Sequence, residues 1–215
     1  MLLTVAHELE SGCALIPEWG AMYGNDNTSE ARQAMAMARR IPVGSLVLAD
    51  AGFGIFSVVY AMVQAGQSVL FRLSKQRFAA MLGQCEQLEQ TDRGARYRLH
   101  WVPSPKARRN NSDLPADACL DVELHAVEED GESLYLVTTL AVDSIQAAAR
   151  YRRRYDVEHD IRDVKVTLEV EKIRAKSVEM VHKELPQLVR LPAPGAGGDS
   201  AVVCTFRCAP AADHG

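Results

Sequence analysis

The sequence predicts an α/β protein, and three observations carry that reading. Ser45-Leu-Val-Leu-Ala49 is an unbroken apolar run, as expected of a strand covered on both faces. Around it, strand-like runs alternate with helix-periodic ones, giving β-β-α-β-α-β over residues 1–74, the signature of helices layered on a sheet. From residue 76 onward the pattern changes to short apolar or alternating runs divided by Gly and Pro, which reads as a β-rich insertion.

Taken in order, LLTVAHEL near the start is a strand, and Cys13 to Trp19 is a second, with Ser11-Gly12 as the turn. A polar loop, Tyr23 to Asn27, leads into a helix over 28–40, where Asn27 and Glu30 have the spacing of a capping box. Pro42 and Gly44 end it. The apolar run over 45–49 finishes at Asp50-Ala-Gly52-Phe53, a second helix spans 55–65 and stops at Gly66, and residues 67–73 form the next strand. Residues 76–90 read as helical; 96–102, 118–127 and 133–140 read as strands. Ser104 to Pro115 is polar and is expected to be a mobile loop. A long helix, N-capped by Asp143-Ser144, is expected over 144–185, interrupted near 169–176. Beyond Pro186 the composition turns to Pro, Gly and Ala without periodicity, the mark of a disordered tail. The divisions are 1–75 for the α/β part, 76–141 for the insertion, 142–185 for the helix region and 186–215 for the tail.

Composition narrows the function classes. The 215 residues are 47% hydrophobic and 24% charged, ordinary for a globular domain. No apolar run is long enough to span a membrane, and the N-terminus lacks a basic leader, which predicts a cytoplasmic protein. Five scattered cysteines without a C-x-x-C pair argue against a zinc site and for reduced thiols. The net charge of −4 does not advertise a nucleic-acid binder. Basic residues are nevertheless clustered, at Arg150 with Arg152, Arg153 and Arg154, and at Lys106 with Arg108 and Arg109. A local basic stripe binds phosphate despite an acidic total.

The residues richest in chemistry follow the insertion. Tyr151, Arg154, Glu158 and Lys165 are separated by steps that return to one face of a helix, within an arc of roughly 60°. A carboxylate among cations and a phenol suits a site that holds a metal ion and a phosphate together. The plain alternative is a salt-bridged surface helix, since Arg154 and Arg162 both lie four residues from Glu158. Asp50 ends a buried strand, where ligand-binding residues collect in open α/β sheets, although an Asp there is more often a turn residue. Gly52 permits a sharp turn just past it.

Together these residues resemble the DDE transposases of bacterial insertion sequences, in particular the insertion-sequence-four group. Tyr151-x2-Arg154-x3-Glu158-x6-Lys165 matches the signature of the family's last catalytic helix, and Asp50-Ala-Gly52-Phe53 matches the motif around its second acid. The resemblance covers about residues 1–185. It implies a ribonuclease H-like fold with a β-rich insertion before the catalytic helix, and two Mg²⁺ ions held by three carboxylates. On matched positions Asp50 and Glu158 are the catalytic metal ligands, while Tyr151, Arg154 and Lys165 hold DNA phosphate. The implied partner is DNA at transposon ends, with a homodimer in the intact family.

The chain departs from that family at both ends. The first acid belongs on a central first strand, and no residue here matches it; Asp26, in a loop, does not qualify. The expectation is therefore a transposase truncated at both ends, with a frameshift near codon 186, inactive in cleavage. The alternatives are a non-catalytic DNA-binding remnant that interferes with an intact transposase, and an unrelated α/β protein whose basic helix is only a solvated surface.

Overall fold

The computed structural model describes residues 2–9, 18–21, 28–129, 131–155 and 200–207. Its described strands are β1 (Leu2–Glu8), β2 (Glu18–Gly20), β3 (Leu46–Ala49), β4 (Ser68–Arg72), β5 (Glu86–Gln90), β6 (Gly94–Trp101), β7 (Leu120–Glu129), β8 (Glu132–Thr138) and β9 (Ser200–Arg207). They form one sheet in the order β2-β1-β9-β3-β4-β8-β7-β6-β5. β3 runs parallel to β4 and to β9; the other pairings are antiparallel. The helices are α1 (Glu30–Met37), α2 (Phe56–Gln64), α3 (Lys75–Leu82), α4 (Pro105–Asn110) and α5, over 144–155. No described helix is long and apolar enough to cross a membrane.

The continuous apolar strands have the cause the sequence suggested. Val47, Ala49, Val69 and Phe71 join a core with Ala34 and Met37 of α1 and Val58, Val59 and Met62 of α2. The alternate residues, Leu48 and Leu70, join Leu136, Ala147 and Tyr151 in a second cluster, which packs α5 on the opposite face. Helices thus cover both faces of β3 and β4, and the period-2 alternation of a half-exposed strand disappears.

α1 begins where a side chain can satisfy its free N–H groups. Ser29 is the cap, its hydroxyl accepting from the Arg32 N–H at 3.2 Å. The Asn27–Glu30 capping box is therefore replaced by a cap two residues later. The other end is tied by the buried Gln67 amide, which donates to the Ala38 and Ile41 carbonyls at 2.9 and 3.0 Å. Gln33 fixes α1 to β1: it accepts from the Thr4 hydroxyl at 2.7 Å and donates to the Leu2 carbonyl at 3.0 Å.

The insertion departs from the sequence reading in two places. The helix expected over 76–90 ends at Leu82, and Glu86–Gln90 form the edge strand β5 against β6. Their Glu and Gln side chains suit a helix locally, but pairing along β6 decides the outcome. The loop expected over 104–115 contains α4, capped by the Ser104 hydroxyl with Pro105 at its first turn.

The tail also differs. Ser200–Arg207, within the segment expected to lack regular structure, form β9 between β1 and β3. β9 pairs from Leu2↔Arg207 to Glu8↔Ala201 on one side and from Leu46↔Ser200 to Ala49↔Val203 on the other. Its Val-Val-Cys-Thr-Phe core is rich in β-branched and aromatic residues, which favour a strand. β9 is the link between the β1–β2 hairpin and the rest of the sheet.

Candidate functional site

The C-terminal ends of the parallel strands β3 and β4 gather the polar side chains. Ala49 and Phe71 are register partners, so Asp50 and Arg72, the residues that follow them, stand side by side at that edge. Asp50 is exposed. Its Oδ1 accepts from the Gly52 N–H at 2.8 Å, an Asx-type turn that fixes the carboxylate. Its second oxygen has no hydrogen-bond partner among the described residues.

The turn after Asp50 is held closely against β4. A Cβ on Gly54 would lie 2.5 Å from the Arg72 carbonyl oxygen, so only glycine allows this approach. A Cβ on Gly52 would stand 3.1 Å from Asp50 Oδ1 and 4.0 Å from Glu30 Oε2, so both carboxylates border the same glycine. Arg77, on the first turn of α3, donates from Nη1 to the Ala51 carbonyl at 2.8 Å and pins the turn from the other side.

α5 approaches the same edge. Ala147, Tyr151 and Arg154 recur at helical spacing and are buried, so the face carrying Tyr151 and Arg154 is the face turned to the sheet. Tyr151 is fully buried, its ring part of the cluster with Leu48, Leu70 and Leu136. Burial pushes its phenol up to about 12, while the charges of Arg154 and Arg72 pull it back down. The Arg154 guanidinium carbon lies 5.6 Å from the Tyr151 ring centre and 5.0 Å from that of Tyr155, within cation–π range.

Tyr151 thus packs on Leu48 and Leu70, two residues before Asp50 and Arg72, with Arg154 against its ring. Glu158 and Lys165 lie outside the described residues. Arg72, Arg77 and Gly54 were not singled out from sequence, and Glu30 was read only as part of a helix cap. A signal existed for Arg72: like Asp50, it directly follows a buried apolar run. Among the described residues no group of three or more His, Cys, Asp or Glu side chains forms a cation cage. The donors at this edge are carboxylate oxygens, the type that hard divalent cations take, so Asp50 fits such an ion as one ligand of an oxygen set.

A second polar cluster anchors the start of α5. His125, fully buried on β7, faces the Ser144 hydroxyl through Nδ1 at 3.0 Å, and Ser144 Oγ donates to the Ala95 carbonyl at 3.3 Å. Its Nε2 stands 3.8 Å from Glu123 Oε2. Burial, then the nearby Arg96 charge, pushes the imidazole down to about 4, with Asp143 opposing. His125 is therefore neutral at ordinary pH and serves as a packed polar strut.

Among comparisons with known proteins, the sequence model of the transposase DDE domain matches residues 19–188. No curated protein and no solved structure gives a match.

Proposed function

The chain belongs to the transposase DDE domain family, and on that premise we propose that it is a DNA-binding protein of the insertion-sequence-four group with a ribonuclease H-like sheet. The observation that carries this reading is the packing of Tyr151, with Arg154 against its ring, on Leu48 and Leu70 of β3 and β4, two residues before Asp50 and Arg72. Arg154 and Tyr151, with Lys165, contact the phosphates of transposon-end DNA. The planar guanidinium supplies hydrogen bonds in a fixed fork and the ammonium a point charge. Arg72 adds a cation on the neighbouring strand. The protein acts in the cytoplasm, and two copies meet on paired DNA ends.

Asp50 and Glu158 are the residues that would hold Mg²⁺. Bound there, the ion would activate an attacking oxygen and stabilise charge on the leaving oxygen of a phosphodiester. The Asx-type turn at Asp50 keeps the carboxylate in place for that role. The first acid of the family belongs on a central first strand, and the position between β1 and β3 is taken by β9, whose residues Ser200–Arg207 include no carboxylate. The reading is therefore DNA binding without efficient cleavage by this chain. A Mg²⁺-dependent nicking assay on duplex DNA tests it: the expected result is retention of DNA without cutting. Robust cutting that disappears in Glu158→Gln would overturn the non-catalytic part.

A further inference from the structure

A groove bordering this edge lies on the face opposite α5. It has a volume of about 620 Å³ and runs between α1, α2 and α3 on one side and α4 of the insertion on the other. Three cations line it: Arg32 from the first turn of α1, Arg77 from the first turn of α3, and Lys106 from α4. No carboxylate lines it among the described residues. Arg32 and Lys106 are exposed, and neither has an ion-pair partner among the described residues. Arg108, from the same basic run as Lys106, is instead committed to the Pro115 and Ala116 carbonyls at 2.8 and 3.0 Å. The wall is firm: Trp101 packs edge-on against Phe56, with ring centres 5.4 Å apart.

Position links the groove to Asp50. Arg77 lines it while donating to the Ala51 carbonyl, one residue past Asp50. Ile55, which closes the same turn, also lines it. A chain acidic overall has here a concave surface with unneutralised cations and no opposing acid in its lining, which concentrates polyanions locally.

We propose that this groove is a second DNA-backbone site, in which Arg32, Arg77 and Lys106 hold the phosphodiesters of a strand that continues from Asp50 across the α1–α4 side. DNA would then be gripped from both faces of the sheet edge, by α5 on one and by the groove on the other. The inference rests on the DNA-binding reading above. The sources of such phosphate, a DNA strand or free inorganic phosphate, differ in how binding scales with salt.

The test is equilibrium binding of a fluorescently labelled DNA duplex to the full chain over a range of KCl, for wild type, Arg154→Ala, Arg32→Ala/Lys106→Ala and the triple variant. Each lost phosphate contact should reduce the slope of log K against log salt by about 0.9. The expected result is a slope lowered by about 2 in the double variant, roughly additive with Arg154→Ala, and an unchanged thermal melt, because both side chains are exposed. If Arg154→Ala flattens the slope and the double variant does not, the groove is not a DNA site and the reading of α5 stands. If the double variant keeps the wild-type DNA slope but loses a rise in melting temperature that added inorganic phosphate gives the wild type, the groove holds only the free anion. If wild type shows no salt-dependent binding, both readings fall.

Discussion

Arg154 sits with its guanidinium carbon 5.6 Å from the centre of the Tyr151 ring, one helical turn away on the sheet-facing side of α5. The pair divides two tasks. The ring fills the core over Leu48, Leu70 and Leu136, and the guanidinium stands between the Tyr151 and Tyr155 rings. Tyr151→Phe should leave stability nearly unchanged, since the ring remains. Tyr151→Ala should cost about 3–5 kcal/mol, the range for truncating a buried aromatic ring. Urea denaturation of the two variants checks this; equal stability of Tyr151→Ala and wild type would contradict the packing.

Gly54 is expected to resist any side chain. Gly54→Ala would press a methyl group to 2.5 Å from the Arg72 carbonyl oxygen and 2.9 Å from Leu73 Cδ2. The clash should cost about 1–3 kcal/mol and displace the Asp50 turn. Gly83→Ala, where nothing lies within 4 Å, is the matched control and should be tolerated. Thermal melts of both variants decide the matter.

His125 should make the fold sensitive to acid. Its folded value is depressed to about 4 from 6.5, so between those two pH values the unfolded chain binds the extra proton and the native state does not. Stability from this group is therefore complete above about 6.5 and falls as pH drops toward 4, by an amount on the order of 3 kcal/mol. Arg96, Glu123 and Asp143 surround the ring and set the window together. His125→Gln should flatten the stability profile across that window. An unchanged slope in the variant would show that other groups dominate acid unfolding.

β9 should behave as the link of the sheet. Val203 is paired with Ala6 on one side and Ala49 on the other. Val203→Pro removes a ladder N–H from this central position, at a cost on the order of 1–3 kcal/mol for the lost bond alone. Hydrogen exchange over residues 2–8 should accelerate in the variant, because among the described strands β1 otherwise pairs only with the short β2. Exchange there that matches wild type would mean that β1 does not depend on β9.

The parts legible in the sequence are those where local pattern and tertiary context agree. β3, α2 and β4 were readable because burial on both faces produces unbroken apolar strands around a short periodic helix. β5 was not, because Glu86-Gln-Leu-Glu-Gln90 is an exposed edge strand whose polar residues look helical until β6 is present to pair with them. α4 had a usable signal in Ser104-Pro105, a cap followed by proline, obscured by the polar residues after it. β9 was hidden by its surroundings: a strand-forming run lies inside a Gly- and Pro-rich tail, and only the gap between β1 and β3 gives it a partner. At the site, spacing alone placed Tyr151 and Arg154 on one face, but not that this face turns inward, since that depends on Leu48 and Leu70 across the sheet. Glu158 and Lys165 lie outside the described residues.

The central claim is that α5 presents Arg154 to DNA phosphate beside Asp50. Fluorescence anisotropy of a labelled duplex, titrated with wild-type protein and with Arg154→Ala at several KCl concentrations, tests it most directly. Wild type should lose affinity linearly with log salt, and Arg154→Ala should bind more weakly with a slope smaller by about 0.9. Identical curves for the two proteins, or affinity that does not change with salt, would contradict it.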